Sequence, residues 1–256
     1  MKKYLCAFVL ILSFTCFSYA QFGYDFSYKD MKIKPGIGLE YFTRTISWDD
    51  QTHSSTLRSY FLTLNTKIEF QWGFSITPVL GYSLSNFDGL VFRKLPISLE
   101  LDVGDIKGLI FGGEVKQNFI TIEEIQFGAR GEFLYSYGLK EDWTIPGLIV
   151  EGTVEGRPSW KRILVGPILK YRGFDYFSPY VFVGYDQLWG TFSMKETIQD
   201  LEGSEDKKIK GKGFVSASVG AVYELTDKFH IQAESRLTPY EQGADFGILL
   251  KLNYTF

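Results

Sequence analysis

Only two cysteines occur in the 256 residues, Cys6 and Cys16, and both fall within the first twenty positions. Beyond them the chain has no thiolate nucleophile, no disulfide partner and no cysteine ligand for a metal. Histidine is as scarce, with two residues, His53 and His230. Neither stands near a serine motif, and no His/Asp/Glu cluster has metal-ligand spacing, so neither a metal nor another cofactor is expected. Charge of one sign is lacking too: the net charge of −3 is too mild to imply nucleic acid or an acidic membrane surface as partner. Past the N-terminus no helical apolar period, linker or low-complexity tract appears, which leaves one domain built from something other than helices.

The single long apolar run is at the start. Lys2 and Lys3 precede an apolar stretch from Tyr4 to Phe17, and Ser18-Tyr19-Ala20 closes it with small residues flanking a tyrosine, the layout of a secretory signal peptide. Residues 1–20 are therefore expected to be cleaved after Ala20, and removing Lys2 and Lys3 takes the net charge from −3 to −5. The run is short for a spanning helix, and Phe14 and Thr15 do not supply the small residues that a lipoprotein site at Cys16 would need. Residues 21–32 are read as a periplasmic N-terminal segment or plug, and residues 33–256 as the folded body.

What the chain has in quantity is aromatic residues, 17% of the total with 23 Phe and 16 Tyr, and alternation with a period of two. Tyr60, Leu62, Leu64, Thr66, Ile68 and Phe70 oppose Ser59, Phe61, Thr63, Asn65, Lys67, Glu69 and Gln71; similar segments follow one another to the end. The apolar faces carry no charge through their middles, whereas the opposite faces carry both signs. With segments of roughly ten residues or more, that contrast favours a barrel with lipid outside and a polar lumen over a soluble sandwich. The expected fold is all-β, a transmembrane antiparallel up-and-down β-barrel of about twelve strands, with ten or fourteen open if a hairpin has been split or fused. Tight reversals are expected at Gly73, Gly104-Asp105, Leu139 to Thr144, Gly173 to Tyr176 and Thr226 to Lys228, with two more short connections near Asn118 and Pro158. The longest outer loop is expected from Met194 to Gly213. Aromatics near strand ends, Trp48, Trp72, Trp160 and Trp189 among them, read as interfacial girdles.

The last eleven residues, FGILLKLNYTF, place Ile248, Leu250, Leu252, Tyr254 and Phe256 on one side of a strand. This resembles the C-terminal targeting strand of bacterial outer-membrane β-barrel proteins. The resemblance implies a Gram-negative outer-membrane location, lipid as surroundings and the barrel-assembly machinery as a partner.

Candidate chemistry is confined to charges on the polar faces: Lys67, Glu69, Glu100, Asp102, Arg130, Glu132, Glu151, Glu155, Arg162, Lys170, Arg172, His230, Glu234 and Arg236. They could line a narrow, weakly selective pore for small hydrophilic solutes, or pair into a network that fills the lumen of a closed, structural or surface-interacting barrel. About eight strands leave an interior filled by side chains and sixteen or more a channel, so both readings stand open. A third reading places a hydrolase at the rim, with His53 beside Asp49 and Asp50 activating water; a chance histidine in a solvated acidic loop is the simpler account. The leading expectation is a monomeric channel without enzymatic activity.

Overall fold

A computed structural model describes residues 31–49, 54–92, 99–144 and 152–255, with backbone alone at 89–92, 99–103 and 144. The expected signal peptide, His53, Glu151 and Phe256 lie outside the described residues, as do the side chains of Glu100 and Asp102. Twelve strands follow in order: β1 (Met31–Trp48), β2 (Ser54–Phe70), β3 (Phe74–Phe92), β4 (Leu99–Ile122), β5 (Ile125–Gly138), β6 (Glu141–Thr144), β7 (Gly152–Tyr171), β8 (Phe177–Ile198), β9 (Leu201–Gly211), β10 (Val215–Glu224), β11 (Phe229–Tyr240) and β12 (Gly243–Tyr254).

All twelve belong to one antiparallel sheet, and the pairing of β12 with β1 closes it. Ten of them form the closed ring, in the order β1, β2, β3, β4, β5, β7, β8, β10, β11, β12. The other two, β6 and β9, ride at the end away from the chain ends, here called the loop end. β6 lies on the start of β7. β9 lies on the far half of β8, continuing along the same edge that β10 lines.

The two faces are inverted relative to a water-soluble sheet. Leu39, Leu62, Leu64, Leu80, Val183 and Val219 are all more than half exposed on the outside, while Arg130 and Glu234, at 0% and 3%, are enclosed. From Tyr60 to Phe70 the outer face of β2 covers about 34 Å of strand at about 3.4 Å per residue; a tilt of about 40° leaves about 26 Å of height, the thickness of an outer-membrane apolar band. Aromatics gather at the terminal end of that band. Trp72 stacks on Phe74 with ring centroids 4.8 Å apart, and Phe174 packs between Tyr171 and Phe177.

Several expected boundaries move. Gly104-Asp105 is no hairpin but an irregularity inside β4: between the pairs Ser85–Ile106 and Phe87–Val103 the β4 side carries one extra residue, a bulge that glycine tolerates well. Pro158 is no turn either; it lies within β7, where the neighbouring edge passes from β5, which ends its pairing at Ser159, to β6, which begins at Gly156. A residue without an N–H fits where a ladder is already interrupted. The connection expected near Asn118 comes later, at Glu123-Glu124, with Glu123 at φ 53°. Met194 to Gly213 is a two-stranded ribbon turning at Gln199-Asp200, not a loop, because Glu196, Ile198, Glu205, Lys207 and Ile209 keep the period of two. At Gly73, φ is +81°, which a side chain adopts only with strain.

Because Leu64 is 66% exposed, an arginine there would be nearly neutral in water but costs about 2–4 kcal/mol at the middle of a bilayer. Leu64→Arg should lower unfolding free energy by that much in urea titrations of the barrel folded into lipid vesicles. A loss below about 0.5 kcal/mol, the usual range for a solvated surface site, would mean that this face looks at water.

Candidate functional site

Each strand of the ring sends alternate side chains inward, so residues far apart in sequence meet across a narrow interior. The meeting point is Arg130 on β5, fully buried. Its Nη1 donates to Glu234 Oε2 at 2.6 Å, its Nη2 to Glu132 Oε2 at 2.9 Å, and its Nε lies 2.8 Å from Glu114 Oε2. Arg162 on β7 bridges Glu132 Oε1 at 2.6 Å and Glu40 Oε1 at 2.7 Å. Arg236 on β11 closes the circuit, 3.0 Å from Glu234 Oε1 and 3.7 Å from Glu40 Oε1. Lys116 pairs with Glu114 at 2.9 Å, and Lys251 lies 4.0 Å from the same carboxylate. Tyr180 donates its hydroxyl to Glu234 Oε2 and accepts from Gln232 Nε2, both at 2.7 Å.

Five cations and four carboxylates thus share one lattice spanning the lumen. Ionised groups removed from water cost several kcal/mol each unless partnered, and here each charge faces at least one of opposite sign. The guanidinium geometry matters: a planar fork holds five donors in fixed directions and can serve two or three carboxylates at set angles, whereas a lysine offers three rotatable donors from one point.

Above this lattice, towards the loop end, the interior turns apolar. Phe42, Phe61 and Trp160 form one trio, with centroid separations of 5.4, 5.5 and 5.7 Å. Trp48, Phe87 and Phe192 form a second, at 5.4 to 6.5 Å. The guanidinium of Arg162 sits 5.0 Å over the ring of Phe42 and joins the two layers. Leu57, Ile106, Ile110, Leu134, Val154, Leu188 and Ile209 complete the packing. Here the ring is narrower: β1 leaves β12 after Phe42 and takes β9 at Ile46 to Trp48, so eight strands rather than ten enclose the space, the size at which side chains fill a barrel.

Of the residues singled out from sequence, Arg130, Glu132, Arg162, Glu234 and Arg236 come together in the lattice. Lys67 and Glu69 pair with each other at 2.5 Å nearer the terminal end, with Lys34 also on Glu69 at 2.7 Å. Lys170 is half-buried and Arg172 is exposed beyond the end of β7. His230 contacts Thr255 Oγ1 through Nε2 at 2.8 Å, with Glu224 at 3.9 Å. Glu155 corrects the expectation: it lies on the face opposite Val154 and Trp160 and pairs with Lys140 at 2.7 Å. The parity error arose from treating β7 as two strands. Trp48 and Trp160, expected at the lipid interface, are interior, at 4% and 1% exposure.

Reading charges alone missed Glu40, Glu114, Lys116 and Lys251, which share the inward parity of their strands, and the aromatic layer, although Phe42 and Phe61 stand among polar neighbours on the same face. Among the described residues no group of three His, Cys, Asp or Glu is placed to hold a metal.

No family model matches the chain, and no curated protein does. Among solved structures it is similar to the outer membrane protease OmpT from Escherichia coli, with a TM-score of 0.50 at 13% identity over 92% of this chain and 99% of that one. It is also similar to a major outer membrane protein from Thermus thermophilus, TM-score 0.40 at 9% identity over 88% and 99%, and to the attachment invasion locus protein Ail of Yersinia pestis, TM-score 0.33 at 13% over 89% and 98%. The fold is that of the bacterial outer-membrane β-barrel proteins. At such identities the likeness concerns the fold alone and assigns no subfamily.

Arg130→Met takes from Glu114, Glu132 and Glu234 the fully buried cation that they share and should cost about 3–5 kcal/mol, read from urea titrations in vesicles. Adding Glu234→Gln should return part of that loss. If the double variant loses the plain sum of the two singles, the pair is uncoupled and the lattice carries no cooperative weight.

Proposed function

We propose that the chain is an exported protein of the Gram-negative outer membrane, a barrel closed to solute flow whose role lies at the surface its loop end presents. The observation that carries this reading is the pair of aromatic trios seated over the charge lattice, the first at the level where β1 leaves β12 and the second in the eight-stranded part of the ring. A solute would have to break both layers. The channel expected from charge alone requires those groups to stand in water, and the buried lattice gives them each other instead.

Strand length supports the second half of the proposal. About ten residues suffice to cross a bilayer, yet β4 has 24 and β8 has 22. The surplus stands beyond the apolar band, and the β8–β9 ribbon presents Lys195, Glu202, Ser204, Asp206 and Lys208 outward. Fold alone does not name the partner of such a surface. The hydrolase reading rests on His53, which lies outside the described residues. Capture by the assembly machinery through the outward row Ile248, Leu250, Leu252 and Tyr254, with Phe256 beyond it, belongs to the same proposal.

Purified and refolded barrel added to planar lipid bilayers should give no conductance steps in concentrated salt. Regular discrete steps from the unmodified chain would overturn the closed-barrel reading and return the channel to first place.

A further inference from the structure

Outside the lumen, one stretch of wall differs from the rest. Where β5, β7, β8, β9 and β1 run side by side, their registers align Tyr135, Lys161, Trp189, Lys210 and Ser47 in a single cross-strand row. One step towards the terminal end come Phe133, Ile163 and Gln187, and the next outward row along β7, β8 and β10 is apolar, with Val165, Tyr185 and Val215. One step towards the loop end they are Tyr137, Ser159, Thr191 and Lys208, and after these come Arg157, Ser193 and Asp206. The row is therefore the edge of the greasy band, and four cations cluster within it and just past it.

Lys161, Lys208, Lys210 and Arg157 make no ion pair among the described residues; the wall they share carries two carboxylates, Asp206 and, just past the end of β1, Asp49, before Asp142, Glu155 and Glu202 further out. Elsewhere at the same height cations are matched, Arg58 with Asp88 at 2.9 Å and Lys107 with Glu141 at 3.9 Å. Two of the four are held over aromatic rings. Lys161 Nζ is 5.1 Å from the centroid of Trp189, and Arg157 is 5.5 Å over Tyr137 while donating to its hydroxyl at 3.1 Å. An aromatic at the interface with unpaired lysines beside it marks the level where acyl chains give way to headgroups.

We infer that this wall of β7, β8 and β9 is a docking surface for a phosphate-bearing lipid headgroup of the leaflet at the loop end, with Lys161, Lys208 and Lys210 as phosphate ligands and Trp189 against the upper acyl chain. The inference rests on the membrane-barrel reading. It adds a lipid selectivity that the barrel alone does not require.

The test uses the whole chain refolded into phosphatidylcholine vesicles doped with bromine-chain lipid, either phosphatidic acid or phosphatidylcholine, with tryptophan quenching as readout. Phosphatidic acid should be preferred by about tenfold, the size that a few cations near an anionic surface supply, and the preference should persist in millimolar inorganic phosphate. The variant Lys161→Gln, Lys208→Gln, Lys210→Gln should lose it, whereas Lys140→Gln with Lys195→Gln, whose lysines pair with Glu155 and Glu202, should keep it. Equal quenching by both lipids, an unchanged preference in the triple variant, or displacement by millimolar phosphate would each overturn the headgroup site while leaving the barrel intact. No quenching by either lipid would overturn the barrel and the site together.

Discussion

The structure depends on one electrostatic requirement: a ring whose outside meets hydrocarbon must dispose of its charges inside, and inside there is little water to hold them. Arg130 answers it by touching three carboxylates, Glu132 on its own strand, Glu114 on β4 and Glu234 on β11. Because Glu132 and Glu234 are also shared with Arg162 and Arg236, no member can move without exposing another. The lattice ties β1, β4, β5, β7, β11 and β12 across the lumen, at right angles to the hydrogen bonds that tie them around it. A barrel wall alone would set the perimeter; this lattice sets the cross-section.

The change from ten strands to eight follows from hairpin lengths. β11 and β12 turn at Glu241-Gln242, well short of the β8–β9 turn. Above that point β1 would have an open edge, a liability in any sheet. The chain bends instead at Gly213, where φ is +75°, so that β9 reaches β1. In the seam between the two partners, side chains replace the missing ladder: Asp245 accepts from the Thr45 amide at 2.9 Å and its hydroxyl at 2.8 Å, Thr43 Oγ1 accepts from the Phe246 amide at 3.0 Å, and Arg44 donates to the carbonyls of Asp186 and Gly213 at 3.1 Å. A small cavity remains beside the seam, lined by Arg44, Arg162, Asp186, Arg236 and Asp245. Narrowing the ring there makes aromatic packing the natural filling, because an eight-stranded interior has no room for a water column.

Face assignment was legible throughout most of the chain because it needs only a period of two and a charge count. Lys67, Arg130, Arg162, Glu234 and Arg236 all carry the inward parity read from their neighbours, and Leu250 and Leu252 the outward one. Strand boundaries were less legible. The expected twelve and the observed twelve are different sets: β4 and β7 each join two expected strands, while β6 and β9 come from segments expected to be connections. Glycine and proline signal interruption of a ladder, but a bulge and a change of neighbour interrupt it as well as a turn does. Charge density misled in the same way at Lys195 to Lys212, where alternation was hidden because both faces of a ribbon outside the lipid are polar.

The amino-acid order by itself determined the inversion of the faces, since each inward or outward choice depends on a residue and its two neighbours. It determined with them that every crossing is a strand and that the interior is charged. Only the tertiary structure decided what those charges do. Whether Arg130 faces water or Glu114, Glu132 and Glu234 depends on which strands lie opposite and how wide the ring is, and those follow from register, hairpin length and the bend at Gly213, which act over distances that no local pattern records.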